Sequence, residues 1–114
     1  MKQSPIFART YDFLLWLIPQ TTQFPREQRF VLARAVQETA LHFQESLIEA
    51  ALSGEREKRQ ALTHADVSLA KLRFYLRLCR DMKLITPRQY KHVAAMVAEI
   101  GRLLGGWRKK VYAR

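Results

Sequence analysis

Cysteine occurs once in the 114 residues, as Cys79, so the chain cannot form an internal disulfide. No Cys/His spacing suits a zinc site, which leaves no metal or other cofactor implied and favours a reducing, cytoplasmic setting. Glycine and proline number four each, too few for the many turns of a β protein. Long apolar runs are also missing. Phe13 to Ile18 is continuous but far shorter than the roughly 20 residues of a membrane span, and Arg9 and Asp12 interrupt its approach. The sequence therefore predicts no signal peptide, no transmembrane helix and no membrane partner. Acidic residues are scarce in the last 44 residues alone, where Asp81 and Glu99 stand by themselves.

That last scarcity turns composition into a location. Residues 1–70 hold eight Lys/Arg against eight Asp/Glu, whereas residues 71–114 hold twelve against two, so the second segment carries the entire formal excess of +10. Such a field attracts polyanions. With 48% apolar residues in a chain of one-domain length, a disulfide-free core is feasible and a second core is not. The expectation is one all-α domain over residues 1–114.

Hydrophobic spacing predicts four helices. The first runs from about Ile6 to the Gln20 region, with Ile6, Phe7, Tyr11, Leu14, Leu15 and Ile18 on a broad apolar surface and Pro19 ending or kinking it. Because Phe13 to Ile18 occupy all sides of a helix, some must lie outside a monomeric core. Phe13, Trp16 and Leu17 are therefore candidates for a partner or subunit interface, and self-association is expected.

Phe24-Pro25 opens the second helix, with Pro25 preset for a first helical position. Ala33, Val36, Ala40, Phe43, Leu47 and Ala50 then repeat at alternating spacings of three and four, a bundle seam. Val31, Leu41, Ile48 and Leu52 widen the apolar face. Ser53-Gly54 is a stop in which Gly54 tolerates a left-handed backbone. The third helix starts near Glu55, with Leu62, Ala65, Leu69, Leu72, Leu76 and Cys79 as its seam. Thr86, Pro87 and Gln89 form a capping box that opens the fourth helix, whose seam is Tyr90, Val93, Val97, Ile100 and Leu104. Gly105-Gly106 is expected to end it, leaving a basic tail over about 107–114. Three short connections predict an antiparallel, up-down-up-down bundle.

Three stretches resemble a known family: Phe24-Pro25-Arg26-Glu27-Gln28-Arg29-Phe30, the run from Leu69 to Arg80, and Ile100-Gly101-Arg102-Leu103-Leu104-Gly105-Gly106-Trp107. They are similar to the accessory variability determinant (Avd) proteins of diversity-generating retroelements, a four-helix-bundle family with relatives encoded in intervening sequences of ribosomal RNA genes. The resemblance implies a basic, barrel-like homopentamer. It also implies association with the retroelement reverse transcriptase and binding of template RNA or cDNA in support of mutagenic cDNA synthesis, with no catalysis of its own. The relatives from ribosomal RNA insertions imply an alternative, an RNA-associated or structural bundle without a polymerase partner.

Arg73, Arg77 and Arg80 recur at i, i+4 and i+7 beside the third-helix seam, a row able to grip phosphates bidentately. The competing reading is a solvated face whose long stems cover apolar surface. Arg88, Lys91, Arg102, Arg108, Lys109 and Lys110 would extend the row into a nucleic-acid-binding surface that reads charge and not sequence. Tyr75, Tyr90, Trp107 and Tyr112 are possible stacking partners for bases, although packing is the commoner role of aromatics. Arg26, Arg29 and Trp107 join the interface candidates, with anchoring of the second-helix start as the plainer role of the two arginines. His42, His64 and His92 fall on separate helices without a ligand spacing. Glu45 and Glu49 form a carboxylate pair that lacks the Glu-x-x-His companion of a di-iron bundle.

Overall fold

The computed structural model describes residues 4–113 and contains four α-helices: α1 (Pro5–Thr22), α2 (Arg34–Leu52), α3 (Glu55–Asp81) and α4 (Pro87–Tyr112). Among the described residues there is no strand. Each helix touches the next along the chain, and α1 closes on α4. The result is a rod-like bundle of 46 × 24 × 23 Å.

The core follows the predicted seams. Val36, Ala40, Phe43, Leu47 and Ala50 of α2 face Leu62, Ala65, Leu69, Leu72, Leu76 and Cys79 of α3, all buried. Val93, Val97, Ile100 and Leu104 complete it from α4. The small side chains of Ala40, Ala50, Ala65 and Cys79 let the backbones approach, and the larger ones fill the layers between. Burial of Cys79 pushes its thiol up to about 11, so the group is un-ionised and inert at neutral pH.

Helix α1 departs from expectation. Its core face is Ile6, Phe13 and Leu17, interleaved with buried Thr10 and Thr21. Phe13 and Leu17, expected at a subunit interface, are instead sealed inside the monomer at 0% and 2% exposure. Tyr11 and Leu15, expected on the apolar side, are exposed. Two threonines on the buried stripe hide its 3.6-residue period, and this is what misled the sequence reading. Pro19 lies in the last turn and does not end the helix, which runs on to Thr22. Pro19 and Leu15 both sit on the exposed side, where water can satisfy the carbonyl that proline leaves without a donor. The Thr21 and Thr22 hydroxyls donate to Ile18 O and Pro19 O at 2.7 Å and close the helix end.

The second helix also begins differently. Pro25 precedes a 3-10 turn (Arg26–Gln28) and a π-helical turn (Arg29–Ala33), and α2 proper starts at Arg34. That irregular start buries Leu32 and Ala33 but leaves Phe30 and Val31 exposed. At the other end of α2, Gly54 keeps φ at −73°. The left-handed residue lies elsewhere, at Lys83, with φ of 60°. There Lys83 N–H donates to Arg80 O and Leu84 N–H to Cys79 O, the paired bonds of a Schellman closure of α3. The Thr86–Gln89 capping box forms as predicted, with reciprocal bonds of 2.8 and 3.0 Å.

Helix α4 does not stop at Gly105-Gly106. It continues to Tyr112, so the expected tail is helical over 107–112, while Arg114 lies outside the described residues. Packing overrides the weak helix propensity of glycine. Val111 is buried, Trp107 lies 6.1 Å from the Phe7 ring, and Lys58 sits over the indole at 5.8 Å. Tyr112 shares a 3.1 Å hydrogen bond with Thr63, which, ahead of Arg108, holds its phenol below the usual range.

Left-handed backbone strains any side chain except glycine, by about 1–2 kcal/mol. Lys83→Gly is therefore expected to raise stability by about 0.5–1 kcal/mol, after the added flexibility of the unfolded chain is subtracted. Urea denaturation should show a higher midpoint at unchanged slope; a lower midpoint would contradict the Schellman assignment.

Candidate nucleic-acid interface

The charge excess of residues 71–114 gathers on the side of the bundle formed by α3 and α4. Arg73 and Arg77 leave α3 toward α4 and line a groove of about 410 Å³ with Ala70, Phe74 and Leu76 of α3 and Tyr90, Ala94, Val97 and Ala98 of α4. The groove exists because α4 presents alanines where a larger residue would fill the cleft. Gly101 has a related role. The Arg73 guanidinium lies directly against it, in space that a Cβ would occupy.

The nine predicted phosphate-binding residues divide into two groups. Arg80 stacks over the Tyr90 ring at 4.6 Å and pairs with Asp81 at 2.9 Å. Arg102 pairs with Glu99, which Arg9 also reaches at 3.7 Å. Arg108 pairs with Asp66 at 3.2 Å and lies over Tyr112 at 5.6 Å. These three arginines are engaged within the bundle. Among the described residues, no carboxylate pairs with Arg73, Arg77, Arg88, Lys91, Lys109 or Lys110. Exposed pairs of the first kind contribute little, about 0–1 kcal/mol each. They nevertheless shift the free positive charge toward Arg73, Arg77 and the exposed side of α4.

The aromatic candidates are less available than their sequence positions suggest. Tyr90 carries Arg80, Trp107 is held between Phe7 and Lys58, and Tyr112 is flanked by Arg59 and Arg108. Tyr75 packs half-buried against the core. Of the two aromatics that line the groove, Tyr90 and Phe74, the one without such a partner is Phe74, 64% exposed between the two unpaired arginines. In the sequence it figures only within the run from Leu69 to Arg80. Its signal was an aromatic at a position that the seam spacing leaves outside.

The other interface candidates sit apart from this groove. Trp16 is half-buried with its ring 5.2 Å from that of His92, and Arg26 and Arg29 are exposed on the irregular start of the second helix. Seven exposed large apolar residues belong to the first two helices and the segment between them: Tyr11 and Leu15 of α1, Phe30 and Val31, and Leu41, Ile48 and Leu52 of α2. The hydrogen bond from Gln37 to Thr21, 2.8 Å, fixes which flank of α2 faces α1. Leu41, Ile48 and Leu52 lie outward from that same flank at helical spacing. Among the described residues, no group of His, Cys, Asp and Glu could hold a metal ion, and no helix is long and apolar enough to cross a membrane.

The contact between Arg73 and Gly101 permits a clean separation of stability from charge placement. Gly101→Ala removes an unfavourable helix-interior glycine, a gain of about 0.5–1 kcal/mol, but its methyl forces the flexible guanidinium of Arg73 aside. The variant should melt higher yet elute from immobilised heparin at lower salt; unchanged elution would mean that the seat of Arg73 is immaterial.

Comparison with known proteins agrees with this architecture. A structure from Bacteroides thetaiotaomicron, described as a protein of unknown function from the S23 ribosomal protein family, superposes with a TM-score of 0.84 over 91% of this chain and 95% of its own. At 19% identity that likeness concerns the fold. None of the curated proteins matches the chain. A family profile described as bAvd-like matches residues 5–111, nearly the whole length, and the four-helix bundle with its basic α3–α4 side belongs to the bAvd-like family.

Proposed function

We propose that the chain is a non-catalytic accessory protein of a diversity-generating retroelement. In this reading it binds template RNA or cDNA through its α3–α4 side and associates in the cytoplasm with the retroelement reverse transcriptase. The observation that carries this reading is the pair of unpaired cations lining one groove, Arg73 and Arg77, with Arg88 and Lys91 exposed in the first turns of α4, in a bundle of the bAvd-like family. Phosphate is the ligand that such a surface fits, because guanidinium forks match its oxygens in pairs. Affinity would come mostly from counterion release, with no base-reading motif to add sequence preference.

The up-down-up-down order is supported by contacts between helix ends. The start of α1 meets the end of α4 through Phe7 and Trp107, and the end of α1 meets the start of α4 through Gln20 and Gln89. The start of α3 meets the end of α4 through Thr63 and Tyr112. Self-association is supported by the exposed large apolar residues of α1 and α2, since exposed apolar patches mark interaction surfaces, and a pentamer is the number of copies that the family resemblance implies. Basic surfaces of like charge repel, so copies would meet through the neutral hairpin.

The name of the structural neighbour, a member of the S23 ribosomal protein family, supports one alternative: an RNA-associated or structural bundle of the ribosomal RNA intervening-sequence type, without a polymerase. Isolation of the assembly from its native operon separates the two readings. A mass of five chains together with a reverse transcriptase and RNA is expected. A monomer at working concentration sinks the assembly proposal, and a polymerase-free particle favours the alternative.

Replacing both Arg73 and Arg77 with Ala should weaken RNA binding roughly tenfold or more, given the strength of charge-assisted hydrogen bonds. The slope of log affinity against log salt should fall by about 1–2. Fluorescence anisotropy across a salt series measures both. An unaltered slope would show that these arginines do not touch phosphate.

A further inference from the structure

The α3–α4 groove has an apolar floor as well as a charged rim, and phosphate binding alone does not call for the floor. Ala70, Ala94 and Ala98 leave open space beside Phe74, whose ring remains 64% exposed although the bundle has a core to bury it in. Arg73 and Arg77 flank that ring at i−1 and i+3, about 6 Å apart along the helix by its 1.5 Å rise per residue. Neither has a carboxylate partner among the described residues. Val67 and Leu78, the other exposed large apolar side chains of α3, and Met82 just beyond its end do not line the groove. Phe74 is thus set apart from them by its charged neighbours and its small-residue floor.

We infer that this groove is a stacking site for an unpaired nucleobase, with Phe74 as the platform and Arg73 and Arg77 holding the phosphates on either side of it. The ligand class is single-stranded nucleic acid. A duplex offers the two arginines its phosphates but keeps its base faces stacked on one another, so it cannot use Phe74. The aromatic face accepts any base, giving preference for strandedness without preference for sequence. The alanine floor admits the edge of a flat ring lying on Phe74, where larger side chains would exclude it. This inference rests on the nucleic-acid reading proposed above and adds to it the distinction between single and double strands.

The test compares wild type, Phe74→Ala and Phe74→Leu against three ligands by fluorescence anisotropy: a short oligouridine, the same oligomer carrying abasic sites, and a duplex of equal length. Wild type should bind the intact oligomer roughly tenfold more tightly than the abasic one, the scale of one base–aromatic stack. Phe74→Ala should lose that difference while its duplex affinity stays within about twofold, because the phosphate contacts that supply duplex affinity are retained. Phe74→Leu, which keeps an apolar side chain but no ring, should behave like Phe74→Ala.

Binding of neither strand form by wild type defeats the nucleic-acid reading itself. Equal binding of intact and abasic oligomers by wild type, or an undiminished difference in Phe74→Ala, overturns the stacking site alone. Loss of self-association in Phe74→Ala by sedimentation velocity, with the intact-to-abasic ratio unchanged, identifies the groove as a subunit contact and likewise overturns it.

Discussion

The packing of α2 on α3 is the contact from which the rest of the bundle takes its orientation. Ala40, Phe43, Leu47 and Ala50 on one side and Leu62, Ala65, Leu69 and Leu72 on the other are fully or almost fully buried. No turn of either helix can rotate without exposing part of that seam. Fixing the seam fixes every other direction on α3. Arg73 and Arg77, one and five positions beyond Leu72, are turned toward α4 by the same periodicity that hides Leu72 and Leu76. The placement of charge is thus a by-product of core packing, which is why it is held firmly without a dedicated network of polar bonds.

The two hairpins solve different problems. Residues 1–70 are electrically balanced and carry most of the large exposed apolar side chains, whereas residues 71–114 carry the whole charge excess on a surface with many small residues. If copies associate as proposed, keeping the two apart would let like-charged copies approach through the neutral side. A single mixed surface would have set apolar attraction against Coulomb repulsion over the same area. Within the basic side a second division appears, between arginines tied to Asp81, Glu99 and Asp66 and those left unpaired.

Legibility from the sequence followed the purity of the local signal. The seams of α2, α3 and α4, the start of α3 at Glu55 and the Thr86 capping box were readable because spacing and cap chemistry pointed the same way. Helix α1 was not, since Thr10 and Thr21 occupy core positions that a hydrophobic template scores as surface. The run through Gly105-Gly106 was misread because the reasons for its helicity, Trp107 on Phe7 and Val111 in the core, are contacts from distant parts of the chain. At the site, arginine spacing was visible as a row. The pairings of Arg80 with Asp81 and of Arg102 with Glu99 are local on their own helices, but that of Arg108 depends on Asp66 of another helix, and Glu99 is shared with Arg9 of α1. Phe74 became informative only once a groove stood beside it.

The glycines of α4 have one more consequence. With Gly101, Gly105 and Gly106 in the last four turns, each about 1 kcal/mol less helical than alanine, that stretch has little intrinsic tendency to remain wound. It is kept helical by a few anchors, Trp107, Val111 and Tyr112, which grip the far ends of α1 and α3. A segment so held can melt as its own cooperative unit at a smaller free energy than the seam, with its amides exchanging early. Lys109 and Lys110 ride on that unit. Their reach from the bundle is then set by how often the end of the helix opens, and not by the rigid bundle alone.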